Sequence, residues 1–197
     1  MKRAFVREYW DHKSVPGLER AVTPDWSAAN LERHLALLDL PDELGTVLEI
    51  GCGLGRLLFA LYDRGAALCV GVDASRAMLA EAGNRLEDRI NVSLIHCDGS
   101  GAVPVIPDGY FDLVFSIITF QHIPNTATVL LYLAEAHRLL RPGGALRFQV
   151  LASDVKPGRE LWTYHPHPVL RGHLAALGFQ NLEECPAGIW TVFKCRK

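Results

Sequence analysis

From residue 46 onward, short runs rich in apolar and β-branched residues alternate with stretches whose apolar positions recur at helical spacing. That alternation predicts a parallel sheet covered by helices. Residues 46–50, 67–73, 91–97, 111–117 and 145–151 read as strands. The apolar run at 111–117 is that of a strand buried on both faces. Helices are expected at 56–64, at 75–88 with Ala77, Met78 and Leu86 as its apolar positions, and at 126–140. In the last of these, Val129, Leu130, Leu133 and His137 fall at helical spacing. Asn125 or Thr126 can cap its start, and Arg138 and Arg141 suit the macrodipole at its end. Pro142, Gly143 and Gly144 should stop it. A final helix at 169–177 closes on Gly178. Runs at 179–184 and 189–195 flank Pro186, Ala187 and Gly188, a hairpin pattern that makes the last strand antiparallel. Before the first strand, residues 27–40 read as an amphipathic helix with Leu31, Leu35 and Leu38 on one face.

These elements divide one domain into an N-terminal helical cap (1–45), a core (46–151) and an end holding a loop, the last helix and the hairpin (152–197). The chain of 197 residues is long enough to bury a core, and the cap is too short for its own. A net charge of -2 and a pI near 6.4 give no overall attraction for nucleic acid. No stretch is long and apolar enough for a membrane span, and the basic start has no apolar run behind it. The five cysteines are scattered, without a C-x-x-C pair, which points to a reducing cytoplasm.

The chemistry concentrates in Val47-Leu48-Glu49-Ile50-Gly51-Cys52-Gly53-Leu54-Gly55-Arg56, a buried strand running into a glycine-rich turn that opens a helix. Ligands of α/β sheets sit beyond the carboxyl ends of the strands. Glycines let backbone approach a ligand, and free N–H groups at the helix start favour an anion. A dinucleotide site requires G-x-G-x-x-G, and Arg56 stands where its third glycine would lie. Asp73, at the end of Gly71-Val72-Asp73-Ala74-Ser75, can accept ribose hydroxyls; capping the next helix is its alternative role, which Ser75 can equally fill. The third strand ends in His96-Cys97-Asp98-Gly99-Ser100.

Together, E-x-G-x-G-x-G at 49–55, the acids at 73 and 98, Asp108-Gly109-Tyr110-Phe111-Asp112 and Leu139-Leu140-Arg141-Pro142-Gly143-Gly144 resemble the class I S-adenosylmethionine-dependent methyltransferases. The resemblance implies a Rossmann-like seven-stranded sheet with helices on both faces and the last strand antiparallel beside the fifth. It implies S-adenosylmethionine as cofactor, with S-adenosylhomocysteine as product. The first turn would contribute Glu49, Gly51, Cys52, Gly53 and Gly55. The second strand end would contribute Asp73, Ala74 and, near the adenine, Met78. Asp98 would meet the adenine amino group, beside Gly99, and Ser116 would be a further cofactor contact. Two other readings stay open: a non-catalytic S-adenosylmethionine-binding sensor or partner subunit, and a nicotinamide-dependent oxidoreductase.

The acceptor side is less explicit. The segment Ser116-Ile117-Ile118-Thr119-Phe120-Gln121-His122-Ile123-Pro124 lacks the Asn/Asp-Pro-Pro-aromatic box of amide and adenine methylation, and lacks acids for magnesium, so no metal is expected. His122 is the candidate general base, with a structural role as its alternative. Phe120, Gln121, His165, Tyr9 and Trp10 are candidate acceptor contacts. Tyr164-His165-Pro166-His167-Pro168 reads as a solvated loop rather than a metal site. The mostly apolar wall at 117–123 points to a small-molecule acceptor.

Overall fold

A computed structural model describes residues 28–86, 88–103, 105–154 and 162–197. Tyr9, Trp10 and the rest of the cap before Ala28 lie outside the described residues. Seven strands form one sheet: β1 (Thr46–Ile50), β2 (Leu68–Asp73), β3 (Val92–His96), β4 (Phe111–Ser116), β5 (Leu140–Leu151), β6 (Gln180–Ala187) and β7 (Trp190–Arg196). Their order is β3-β2-β1-β4-β5-β7-β6. The first five strands pair in parallel, and β7 runs antiparallel between β5 and β6. The expected seven-stranded α/β sheet, with its last strand antiparallel beside the fifth, is therefore present. The five α-helices among the described residues are α1 (Ala28–Leu37), α2 (Arg56–Asp63), α3 (Arg76–Asn84), α4 (Thr126–Leu139) and α5 (His167–Leu177).

Alternation along the strands puts helices on both faces. Leu48, Val70, Val114 and Phe148 point into one core with Val129 and Leu133 of α4 and Leu170 and Leu174 of α5. Val47, Cys69, Leu113 and Phe115 point the other way, into a core with Leu57, Leu58 and Leu61 of α2 and Ala82 of α3. Leu35 and Leu38 join that second core, so α1 covers the same face as α2. Arg147 of β5 fixes the end of α1. Its buried guanidinium donates to the carbonyls of Leu38, Leu146 and Cys195, a cation placed where helix carbonyls lack partners. No described helix is long and apolar enough to cross a membrane.

Several boundaries differ from the sequence reading. The helix expected to reach residue 88 stops at Asn84, because Gly83 and Asn84 are weak helix formers. β5 begins at Leu140, inside the expected helix stop. Leu140 turns to φ -71, ψ 138 and pairs with Phe111, so Pro142 to Gly144 sit within an irregular start of the strand. β6 runs on to Ala187 and pairs it with Trp190, leaving Gly188 and Ile189 as a two-residue turn. Pro186 is tolerated because β6 is an edge strand. α5 starts at His167, earlier than expected, with Pro168 in its first turn.

Candidate functional site

Strand order reverses between β1 and β4, because β1 leads outward to β2 while β4 leads to β5. Such a switch point opens a crevice beyond the carboxyl ends of the two strands. The glycine turn follows β1 there, and the 116–122 segment follows β4.

The turn is built by its own backbone. Gly51 and Cys52 both donate N–H to the Val72 carbonyl, and Gly55 donates to Cys52. A Cβ on Gly51 would stand 2.1 Å from Thr119 Cγ2, so glycine is required there by the neighbouring segment. Gly53 differs. It has φ +51, and no atom lies within 4 Å of where its Cβ would be. That bare, positive-φ face is the cradle expected of a ligand's close approach.

Asp73 is tied into this turn. Its Oδ2 accepts the Gly53 N–H at 2.8 Å and its Oδ1 accepts the Ser75 N–H at 2.8 Å. Ser75 is the true cap of α3, accepting the Met78 N–H at 3.2 Å. The alternative role for Asp73 thus falls mainly to its neighbour. Met78 itself is buried. Ala74 and Gly99 bring the ends of β2 and β3 together, since a Cβ on Gly99 would sit 3.5 Å from that of Ala74. Asp98 is exposed, and bonds from Ser100 hold its carboxyl below the usual range.

Glu49 is buried beneath the turn. Burial raises its carboxyl well above the ordinary value, and a bond from the Leu58 amide in the first turn of α2 offsets only part of that. Its Oε2 has no hydrogen-bond partner among the described residues. Burial likewise pushes the Cys52 thiol up, so that residue is inert packing within the turn.

Across the crevice, the segment after β4 is stitched to the turn. Ser116 Oγ donates to Ile50 O at 2.9 Å and Thr119 Oγ1 to Gly51 O at 3.1 Å. Ile118 takes φ +59, an outlier for a β-branched residue, and its N–H is held by Gln149 Oε1 at 2.9 Å. Phe120 to His122 then form a 3₁₀ turn. Phe120 is buried, stacked on Tyr132 and tilted against Phe148. Gln121 is fully buried, and His122 is half-buried at the end of the turn.

Neither histidine of the Tyr164–Pro168 segment is solvated, which corrects the sequence reading. His165 is fully buried, with Nε2 donating to Phe120 O at 2.8 Å and Nδ1 accepting from Thr126 Oγ1 at 3.1 Å. A carbonyl only accepts, which fixes the proton on Nε2. Both ring nitrogens are thus occupied, and His165 supports the wall from behind rather than offering itself to an acceptor. His167 bonds Glu184 and the Leu151 carbonyl. The partners lie far away in sequence, so nothing local announces the burial. Among the described residues no cluster of three or more His, Cys, Asp or Glu is arranged to hold a metal.

Sequence reasoning missed Thr119 and Gln149 as site-building residues. A glutamine between Phe148 and Val150 in an apolar strand is the signal that marks the second.

Residues 47–144 match a family described as methyltransferase domain. A trans-aconitate 2-methyltransferase from Azoarcus sp. is 33% identical over 150 residues, covering 76% of this chain and 54% of the relative. A ubiquinone biosynthesis O-methyltransferase from Pseudomonas paraeruginosa is 36% identical over 112 residues, covering 56% of this chain and 46% of the relative. The chain spans about half the length of these curated relatives. Among solved structures, magnesium protoporphyrin IX methyltransferase from Synechocystis PCC 6803 with bound SAM matches with a TM-score of 0.74 at 17% identity, covering 100% of this chain and 97% of that one. At that identity the likeness speaks for the fold.

Proposed function

Because the chain belongs to the class I S-adenosylmethionine-dependent methyltransferase family, we propose that it binds S-adenosylmethionine at the β1–β4 crevice and methylates a small-molecule acceptor. The observation that carries this reading is Gly53, whose bare face opens beside the Asp73 carboxylate.

The residues present fit the cofactor. Asp73 offers a charged acceptor to ribose hydroxyls, and Gly51, Cys52 and Gly55 shape the turn beside it. The orphaned Glu49 Oε2 suits a cationic amine, which would favour the ionised carboxylate. Asp98 stands at the end of β3 for an adenine amino group, near Ala74, Met78 and Gly99. Ser116 anchors the opposite wall. When bound, S-adenosylmethionine supplies a methyl group already activated on a positively charged sulfur. The protein's task is then chiefly to align the acceptor, and orientation of this kind is worth roughly 7–11 kcal/mol in well-placed systems. His122 is the residue in this segment able to take a proton near neutral pH from an acceptor that must lose one.

A small acceptor is supported by the mostly apolar sequence of residues 117–123 and by the net charge of -2. The names of the two relatives, which specify trans-aconitate and ubiquinone biosynthesis, point the same way. The test is calorimetric titration with S-adenosylmethionine and NADH, followed by assay of S-adenosylhomocysteine release against pooled metabolites and against RNA and DNA. Expected are S-adenosylmethionine binding and turnover on a metabolite. NADH binding in its place, or methyl incorporation into nucleic acid, overturns the reading, and binding without turnover on any pool identifies a sensor or partner subunit. His122→Ala should lower turnover most near neutral pH with cofactor affinity kept; unchanged turnover across the pH range removes the base role.

A further inference from the structure

Gln121 is 0% exposed, yet neither Nε2 nor Oε1 of its side chain has a hydrogen-bond partner among the described residues. Buried amides nearly always find partners, so one with both ends unmet calls for an explanation. Its surroundings sharpen the question, because several backbone groups around it are engaged. Gln121 O accepts from Thr163 N at 2.7 Å, Phe120 O accepts from His165, and Ile118 N–H is held by Gln149. The segment is therefore fixed in place around an unmet amide. It is also strained, with Ile118 at φ +59, and such strain persists where surrounding structure holds it, often at functional sites. Thr119, two residues before Gln121, bonds the glycine turn directly. The Gln121 backbone thus lies on the β4 side of the switch-point crevice.

We infer that the Gln121 amide is the polar recognition group of the acceptor site, and that its ligand is a neutral planar group presenting a donor and an acceptor side by side, such as a lactam or a hydroxyl beside a ring carbonyl. The inference rests on the methyltransferase reading and names its substrate class. A primary amide presents Oε1 and Nε2 on adjacent positions, and the matching partner offers the reverse pair. Neutrality follows from the environment. Residues 116–122 contain no Lys, Arg, Asp or Glu, and His122 is their one side chain that can take up a proton near neutral pH. The described partners of Ser116, Ile118, Thr119, Phe120 and Gln121 are backbone groups, the Gln149 amide and the His165 imidazole. Both nitrogens of that imidazole are engaged, by Phe120 O and Thr126 Oγ1, and burial lowers its basicity. An ionised carboxylate would be desolvated there without a counter-charge from these partners.

The test uses the full chain saturated with S-adenosylhomocysteine, and three probes followed by ligand-observed NMR: 2-pyridone, 1-methyl-2-pyridone, which lacks the donor, and trans-aconitate. Expected is binding of 2-pyridone about fivefold or more tighter than its methylated analogue, the size of one hydrogen bond, with trans-aconitate the weakest. Gln121→Leu and Gln121→Met should erase the difference between the two pyridones while S-adenosylhomocysteine affinity stays unchanged. Using two variants guards against one failing to fold. Equal binding of the two pyridones by the parent protein, absence of 2-pyridone binding, preference for trans-aconitate, or a difference that survives both substitutions overturns the inference. Failure to bind S-adenosylhomocysteine at all overturns the methyltransferase reading instead.

Discussion

The Gly53 N–H and the Asp73 carboxylate meet at 2.8 Å, so the turn after β1 and the acid ending β2 form one unit. The second carboxylate oxygen is pinned by Ser75 N, which fixes the orientation of the group. Asp73→Ala removes both anchors and the charged acceptor offered to a ribose. Hydrogen bonds to charged groups are worth roughly 1.5–3 kcal/mol, so S-adenosylmethionine affinity should fall about tenfold to a hundredfold. Gly53→Val should abolish detectable binding, because valine would have to adopt a positive φ and would fill the bare face. Calorimetry that returns parental affinity for both variants refutes the assignment of this turn.

Glu49 gives a prediction with a definite sign. Its folded-state carboxyl is raised well above the value of an unfolded glutamate by burial. Between those two values the native protein holds a proton that the unfolded chain has lost. The favourable contribution is complete below the unfolded value and disappears as pH rises through the folded one. Ionised Glu49 therefore weakens the ligand-free protein at higher pH. Glu49→Gln should have a thermal midpoint that gains on the parent as pH is raised from about 5 to about 8, while its S-adenosylmethionine affinity drops. Parallel midpoint-versus-pH curves for the two proteins would show that burial of this acid carries no such penalty.

How much of this was legible in the sequence depends on how local each feature is. β1, its glycine turn and the capping residues Ser75 and Asn125 are set by adjacent residues, and all were readable. The alternation that separates Val47 from Leu48 placed helices on both faces. The start of β5 was not readable, because Leu140 is drawn into the sheet by Phe111, distant in sequence. The burial of His165 was hidden for the same reason, its partners being Phe120 and Thr126. The strained Ile118 gave no sign at all, since an isoleucine in an apolar run predicts extended backbone. Nothing in the described residues speaks to Tyr9 or Trp10.

The buried His165 sets an acid limit on the fold. Burial lowers its basicity below that of an unfolded histidine, outweighing the Phe120 carbonyl, which favours the charged form. Its contribution to stability is present above the unfolded value and is lost as pH falls. His34 and His137 are shifted in the same direction, both chiefly by burial. The thermal midpoint of His165→Gln should therefore gain on that of the parent as pH is lowered from about 7 to about 5. An NMR titration placing the His165 imidazole above 6.5 would contradict the burial argument.

Gln149 and Ile118 supply the last test, since a strained backbone needs something to hold it. A β-branched residue at positive φ costs of order 1–3 kcal/mol, and the described counterweight is the 2.9 Å bond from Ile118 N to the buried Gln149 Oε1. Gln149→Leu would keep the apolar packing but leave that N–H unmet, at about 1–3 kcal/mol. Urea unfolding should show a loss of this size. The backbone can also escape the cost by relaxing, so amide exchange should quicken across residues 118–122 before the rest of the sheet responds. Ile118→Gly in the same background should recover part of the local protection, because glycine adopts this φ without strain. If Gln149→Leu exchanges like the parent at these amides, packing around Phe120 and the Ser116 and Thr119 bonds hold the segment, and Gln149 is not what keeps Ile118 strained.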